Sequence, residues 1–170
     1  MVKVWYNDTE SGQCLNNDKN SPKFISVEEL YKKTGVEYFK LNLDTYKTDG
    51  ILDRIKKERG YSYEDEMVCS KECLDYEEKS MIFATEHLHS DEEIRLFLDG
   101  HGYFDVRDCC DQWIRIEVSA GDLIILPGGI YHRFTFGSNH YIKQRRFFIN
   151  SPVWRAYNRS AYEMGRTTVS

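Results

Sequence analysis

From residue 86 to residue 150 the chain is a succession of short runs of β-branched, aromatic and aliphatic residues, separated by turn formers. The runs are EIRLFLDGHG, YFDVRDCCD, QWIRIEVSAGD, LIILPGG, IYHRFTF and KQRRFFIN. Residues of these types favour strands, and many strands joined by close turns are typical of an antiparallel β barrel or sandwich. We therefore expect a mainly β protein.

The segment before residue 86 carries signals for three short helices. Ser26 and Glu29 form a capping box ahead of VEELYKKT, and Gly35 is a natural helix stop. A second helix is expected from about residue 49 to residue 58, and a third from Asp75, where Glu78 repeats the capping pattern. The amino-terminal VKVWY predicts a strand.

Length and charge restrict the organisation of the chain and its partners. The 170 residues fit a single domain, in which 1–85 would flank the barrel, 86–155 form it and 156–170 make a loosely packed tail. The net charge of −5 argues against a nucleic-acid partner. No run approaches the ~18 apolar residues of a membrane span, and MVKVWYNDTE lacks a secretory signal. We expect a monomer in the cytoplasm or nucleus.

The cysteines suggest reduced thiols rather than a structural framework. There are five of them, an odd number, and none forms a CxxC pair. Neither a disulfide framework nor a thiolate zinc site is therefore indicated. The role of the adjacent Cys109 and Cys110 stays open.

The stretch HLHSDEE at residues 87–93 is the first candidate for chemistry. Side chains alternate faces along a strand, so His87 and His89 point the same way. A turn at residues 90–91 lets a second strand begin, and Glu93 can return beside the two imidazoles. HxH alone is equally typical of two exposed or hydrogen-bonded histidines, but with Gly100 the spacing becomes the more specific HxHx3Ex6G.

A second motif begins 32 residues after His89, with GDLIILPGGIYH. It has the spacing Gx5PxGx2H, with a turn glycine at Gly121, a turn from Pro127 to Gly129, and then His132. The two halves together match the two sequence motifs of the cupin superfamily. Phe136 departs from that pattern, since the second motif often ends in Asn at this position.

The similarity is closer than a superfamily. HLHSDEEIRLFLDGHGYFDVRD, QWIRIEVSAGDLIILPGGIYHRFT and SPVWRAYNR resemble the acireductone dioxygenase family, and the likeness runs nearly end to end. It implies a cupin-type antiparallel β barrel (double-stranded β-helix, or jelly roll) in which His87, His89, Glu93 and His132 converge on one divalent metal. Such nitrogen-rich ligation suits iron(II) or nickel(II) better than calcium or magnesium.

The resemblance also implies a reaction. The substrate would be the acireductone 1,2-dihydroxy-5-(methylthio)pent-1-en-3-one, and its co-substrate O2. Four protein ligands leave two positions of an octahedron, as a bidentate enediolate requires. With iron(II) the family's products are formate and 4-methylthio-2-oxobutanoate, a methionine precursor in the methionine salvage pathway. With nickel(II) they are carbon monoxide, formate and 3-(methylthio)propanoate. The sequence does not choose the metal.

Two arginines are candidates for holding the anionic substrate. Arg95 shares a strand face with Glu93 and is expected to orient and stabilise the substrate through charge-assisted hydrogen bonds. Its alternative role is a structural ion pair. Arg146 is expected to supply a second cation, with Arg145 pointing away, although a one-residue change of register would exchange the two.

Two aromatic residues are candidates for walls around the methylthio tail. Phe134 shares a face with His132, and Trp154 lies in SPVWRAYN. Core packing accounts for either residue equally well.

Two other functions remain open at this stage. One is a cupin oxidase of the germin type, although such proteins resemble secreted, disulfide-bearing chains. The other is a non-catalytic cupin that serves as a binding module. Arg95 beside a complete ligand set argues against a retired site.

Overall fold

The computed structural model describes residues 1–7, 22–152 and 155–160. Those ranges contain three helices and ten strands. The helices are α1 (Val27–Thr34), α2 (Ile51–Arg59) and α3 (Tyr76–Ala84). The strands are β1 (Lys3–Tyr6), β2 (Glu37–Lys40), β3 (Tyr63–Ser70), β4 (His87–Leu88), β5 (Glu93–Arg107), β6 (Trp113–Ser119), β7 (Asp122–Leu126), β8 (His132–Phe136), β9 (Tyr141–Phe148) and β10 (Tyr157–Asn158). None of the helices in those ranges has the length and apolar character to cross a bilayer.

Strand β5 organises the fold because it is long enough to belong to two sheets. Its carboxyl-terminal half lies between β6 and β8 in sheet A, whose order is β1-β6-β5-β8-β4-β10. Its amino-terminal half lies between β7 and β9 in sheet B, whose order is β2-β7-β5-β9-β3. Every named pairing is antiparallel. The prediction of a mainly β, antiparallel fold with a few helices in the first half is confirmed.

The sequence predicted two strands where the structure has the single strand β5. The register on β9 shifts between Phe97 and Asp99, which marks a bulge, and Gly100 adopts a φ of 87°. A side chain at Gly100 would also meet the backbone of β9, at 2.8 Å from the Cα of Ile142. The Asp-Gly pair therefore bends the strand from one sheet into the other without ending it.

The helices begin and end close to their predicted limits. Ser26 Oγ accepts a hydrogen bond from the backbone N–H of Glu29 at 3.1 Å, and Gly35 ends α1 with a φ of 78°. The capping box predicted for α3 does not form, because the Asp75 carboxylate instead pairs with Lys79 at 2.9 Å. The region predicted as a tail contributes β10, which pairs with β4.

Two hydrophobic clusters lie on opposite faces of sheet B. Phe97 belongs to the cluster between the sheets, together with aromatic and aliphatic residues of β5, β6, β8 and β9. Ile94 and Leu96 face the other way and pack beneath α2. Alternation along β5 therefore places Glu93 and Arg95 on the inner face, above the buried ring of Phe97.

Candidate metal centre

The three histidines of the two motifs meet at one end of the barrel. His87 on β4 and His132 on β8 lie directly opposite each other, with ring centroids 4.4 Å apart. The ring of His89 is 5.0 Å from that of His87 and 5.4 Å from that of His132. One ligand atom from each residue lies within 4.8 Å of the others. The geometry thus brings together histidines from two separate hairpins.

Close packing of two turns brings the motifs together. The backbone N–H of Gly129 donates to the carbonyl of His89 at 2.7 Å. Gly128 lies against the turn that follows His89, where a Cβ would be 3.1 Å from the carbonyl carbon of Ser90. A residue without a side chain is needed here because the two backbones approach so closely.

Each imidazole is oriented by a backbone carbonyl. Nδ1 of His87 donates to the carbonyl two residues earlier at 2.6 Å, and Nδ1 of His132 does the same at 3.0 Å. Nδ1 of His89 donates to the carbonyl of Arg155 at 3.0 Å. A carbonyl can only accept, so the proton lies on Nδ1 and the lone pair of each Nε2 is available to a metal.

The Glu93 carboxylate completes the group. Its Oε2 lies 2.8 Å from Nε2 of His132 and 3.5 Å from Nε2 of His89. Within the part of the chain that the structure describes, Glu93 Oε2 and His132 Nε2 are both buried and lack an aligned hydrogen-bond partner. Buried polar atoms rarely lack a hydrogen-bond partner. A divalent cation at this point would satisfy both atoms, so the donor set fits a metal.

Electrostatics favour the metal-binding protonation states of His87 and Glu93. Burial lowers the pKa of His87 to about 4, and the neighbouring His132 adds to the effect. Burial alone would raise the pKa of Glu93, but Arg95 and His132 outweigh it and hold that pKa well below its usual range. His87 is therefore neutral and Glu93 ionised at neutral pH. For His132, the Glu93 carboxylate outweighs burial and raises the pKa.

The two predicted arginines lie together beside this group. Arg95 is buried, and its guanidinium is 3.3 Å from Oε1 of Glu93. Arg146 is its partner across β5 and β9, and it pairs with Asp65 through two contacts of 2.7 Å. Both guanidinium carbons lie within cation–π range of the Phe148 ring, at 5.9 and 6.0 Å from its centroid. The inner wall next to Glu93 is thus cationic.

Comparison with known proteins identifies the family. A model of the ARD/ARD' family matches residues 1–156. The chain belongs to this family.

Two relatives of this chain carry the same name. An acireductone dioxygenase of Drosophila melanogaster is 55% identical over 166 residues, which cover 96% of this chain and 89% of the fly protein. An acireductone dioxygenase of Homo sapiens is 47% identical over 163 residues, which cover 95% of this chain and 90% of the human protein. The resemblance noted in the sequence is confirmed, and with it the expectation of a dioxygenase family.

A solved structure extends the likeness to the fold. The acireductone dioxygenase from Bacillus anthracis with a cadmium ion in its active centre superposes with a TM-score of 0.74 at 22% identity. The match covers 92% of this chain and 98% of the bacterial one. At this identity the likeness concerns the fold, and it confirms the family's cupin-type barrel.

The remaining predicted residues are less close to the histidines. Phe134 is 6% exposed and packs on Phe97, with ring centroids 6.1 Å apart, and on Phe104 at 5.0 Å. Its position is that of a core residue, and a role as a pocket wall stays a prediction. Arg145 points away from the site and pairs with Glu66 at 3.3 Å. Trp154 lies outside the described residues.

The sequence did not predict two groups that support the site, the Arg155 carbonyl and the Asp65 carboxylate. The carbonyl of Arg155 meets an imidazole 66 positions away, and a main-chain group leaves no trace in residue type. Asp65, the partner of Arg146, lies in YEDE, which reads as a solvated segment. The pairing of β3 with β9 would have revealed Asp65 as a partner of Arg146. The sequence predicted neither the strand β3 nor the register of this pairing.

Proposed function

We propose that the chain is a metal-dependent acireductone dioxygenase that cleaves 1,2-dihydroxy-5-(methylthio)pent-1-en-3-one with O2. The observation that carries the proposal is the convergence of three imidazoles, each with its Nδ1 engaged by a carbonyl, and a carboxylate oxygen at 2.8 and 3.5 Å from two of them. Membership of the family supports the substrate class.

The four ligands in this proposal are His87, His89, Glu93 and His132, and they hold one divalent ion. The proposed ion is iron(II), with nickel(II) as the alternative, because three imidazoles and a carboxylate suit either ion better than calcium or magnesium. When bound, the metal would supply a Lewis acid that polarises the enediolate oxygens. The products with iron would be formate and 4-methylthio-2-oxobutanoate. With nickel they would be carbon monoxide, formate and 3-(methylthio)propanoate.

The chain's own cations bind and orient the substrate. The Arg95 guanidinium contacts Oε1 of Glu93, whereas Oε2 of the same carboxylate lies nearest to His132. From this position its N–H groups can donate hydrogen bonds to an anionic enediolate beside Glu93. In a buried site such a preorganised donor stabilises developing negative charge strongly. Arg146 lies next to Arg95 and adds positive charge, which Asp65 partly offsets.

The apolar part of the substrate needs a separate contact surface. The aromatic cluster around Phe134 lies beneath the inner face of the site, and we propose that Phe134 and Trp154 contribute to the wall around the methylthio group. For Phe134 the support is its place on β8, two residues after His132.

Oxygen uptake tests the proposal. Iron-loaded protein, mixed with acireductone in air-saturated buffer, should consume O2 faster than the spontaneous reaction and release one formate for each O2 consumed. Nickel-loaded protein should release carbon monoxide as well. The matched control is His132→Ala, which should remove metal and activity together while the barrel remains folded. Uptake by iron-loaded protein at the spontaneous rate would refute the proposal and favour a binding module.

A further inference from the structure

The segment of residues 155–160, called here the C-terminal segment, reaches back to the metal centre. Nδ1 of His89 donates to the Arg155 carbonyl, 66 positions away, whereas His87 and His132 use carbonyls only two positions away. The latter two contacts form with the local backbone. The orientation of His89 instead depends on docking of the C-terminal segment.

Of the three histidines of the site, His89 is also the most open to solvent. Its side chain is 27% exposed, compared with 3% for His132. Burial therefore restrains the ring of His132 much more than that of His89. If the carbonyl contact were lost, the His89 ring could rotate and expose its Nδ1 to water.

The backbone pairing described for the C-terminal segment is short. Strand β10 contributes two residues, which pair with Leu88 and His87 on β4. The Arg159 backbone N–H also donates to the carbonyl of Glu86 at 3.1 Å. Two-residue ladders are marginal in water, so we expect the side chain of Arg159 to contribute to the docking.

Arg159 is enclosed by partners on both sides. One nitrogen of its guanidinium lies 3.1 Å from the Glu86 carboxylate and 2.7 Å from the Asp111 carboxylate, and the other is 3.1 Å from Asp111. The guanidinium carbon is 4.8 Å from the centroid of the Tyr131 ring. The residue is only 7% exposed. Planar geometry and two-sided charge pairing suit arginine and not lysine.

These partners lie immediately behind the metal centre. Glu86 precedes His87 in the chain, and Tyr131 precedes His132. Arg107 fixes Glu86 from another side through contacts of 2.8 and 3.1 Å. Two of the residues that receive Arg159 thus lie directly before the two strands that carry the other histidines.

We propose that Arg159 is a positioning residue that docks the C-terminal segment, fixes His89 through the Arg155 carbonyl, and so slows release of the metal. The Arg159 contacts described above are with Glu86, Asp111 and Tyr131, none of which is a proposed metal ligand. The inference rests on the metal centre proposed above, and it predicts that metal loss begins with release of His89.

Zinc(II) dissociation provides the first test. Zinc-loaded Arg159→Gln should transfer its metal to a chromogenic chelator about tenfold faster than the parent, the size typical of a lost outer contact to a metal-bound histidine. The matched control is Arg145→Gln, which also breaks contacts with two carboxylates, at 3.6 and 3.3 Å, but on the outer face of sheet B. Its rate should equal the parent's.

A second variant reaches the same contact from the other side. Asp111 has a φ of 61°, a conformation that asparagine tolerates, so Asp111→Asn removes the charge without straining the turn. It should accelerate zinc release in the same direction. Combined with Arg159→Gln, it should add little, because Asp111 acts on the C-terminal segment through its pairing with Arg159.

NMR of ¹⁵N-histidine-labelled, zinc-loaded protein separates positioning from general loosening. In Arg159→Gln the Nδ1 proton of His89 should exchange rapidly with water, while those of His87 and His132 stay protected. Unchanged exchange at all three, or equal loss at all three, would overturn the inference. Parent protein that binds zinc but consumes no O2 with iron would refute the dioxygenase proposal alone. Parent that binds no zinc would overturn both.

Discussion

Gly128→Ala should damage the metal centre more than it damages the fold. Gly128 lies between β7 and β8, against the turn that follows His89. A Cβ there would overlap the Ser90 carbonyl oxygen and lie 3.1 Å from the Ser90 carbonyl carbon and 3.4 Å from that of Asp91. Ordinary carbon contacts fall at about 3.5–4.0 Å, so the two turns must separate by roughly 0.5–1 Å.

That separation acts directly on the ligands, because one turn follows His89 and the other precedes His132. Functional constellations tolerate about 0.5 Å of displacement, and a misplacement of about 1 Å lowers rates about 100-fold. We expect metal affinity to fall about 10- to 100-fold and turnover about 100-fold. The free energy of unfolding of the metal-free protein should fall by only about 1–3 kcal/mol.

Gly129→Ala is the matched control. Gly129 has a φ of 82°, and a Cβ there would meet no heavy atom within 4 Å. The variant should therefore lose about 1–2 kcal/mol from left-handed strain and keep its metal affinity. Chelator-competition titration with zinc(II) and urea unfolding of both metal-free variants measure the two effects. Equal metal affinities for Gly128→Ala and Gly129→Ala would refute the reasoning.

Three further predictions concern the site and its support. Arg95→Ala should keep its metal but lose about 100- to 1,000-fold in kcat, since Arg95 contacts Glu93 without belonging to the ligand set. Metal analysis and oxygen uptake measure the two effects. A turnover equal to the parent's would mean that Arg95 has only a structural role. Metal affinity should fall as the pH is lowered from about 8 to 5. Glu93 raises the pKa of His132, and a protonated His132 must lose its proton before it can bind the metal. His87, with a pKa of about 4, is already neutral in this range. Chelator competition at several pH values measures it, and a constant affinity would contradict it. Asp105→Ala should lower the free energy of unfolding, measured with urea, by about 3–5 kcal/mol, because this fully buried carboxylate pairs with two buried arginines. A loss below about 1 kcal/mol would show that the two arginines do not depend on Asp105 for a partner.

The sequence predicts strands well where one face is apolar and fails where both faces are polar. Ile94 and Leu96 lie in one hydrophobic cluster and Phe97 in the other, so the period-2 alternation that put Glu93 and Arg95 on one face holds along this strand. Strand β3, with the sequence YEDEMVCS, was not predicted. Its carboxylates pair with basic side chains of β9, as Asp65 does with Arg146 and Glu66 with Arg145. Cross-strand pairs between distant segments stabilise such a strand, and no local pattern reports them.

Much of the candidate site follows from spacing, whereas its supports depend on tertiary packing. Strand alternation placed His87 and His89 on one face, and the register with Phe148 placed Arg146 inward; the structure has both arrangements. The glycine turn that joins the motifs was also visible. The contact between His89 and the Arg155 carbonyl was not, because it depends on how the C-terminal segment docks.

X-ray absorption spectroscopy of the nickel(II)-loaded protein reports directly on the proposed ligand set. We expect one nickel per chain, with multiple scattering from three imidazoles and a first shell completed by oxygen. His89→Ala, where it retains any nickel, should show two imidazoles. A parent spectrum with fewer than three imidazoles, or with sulfur in the first shell, would contradict the proposed centre.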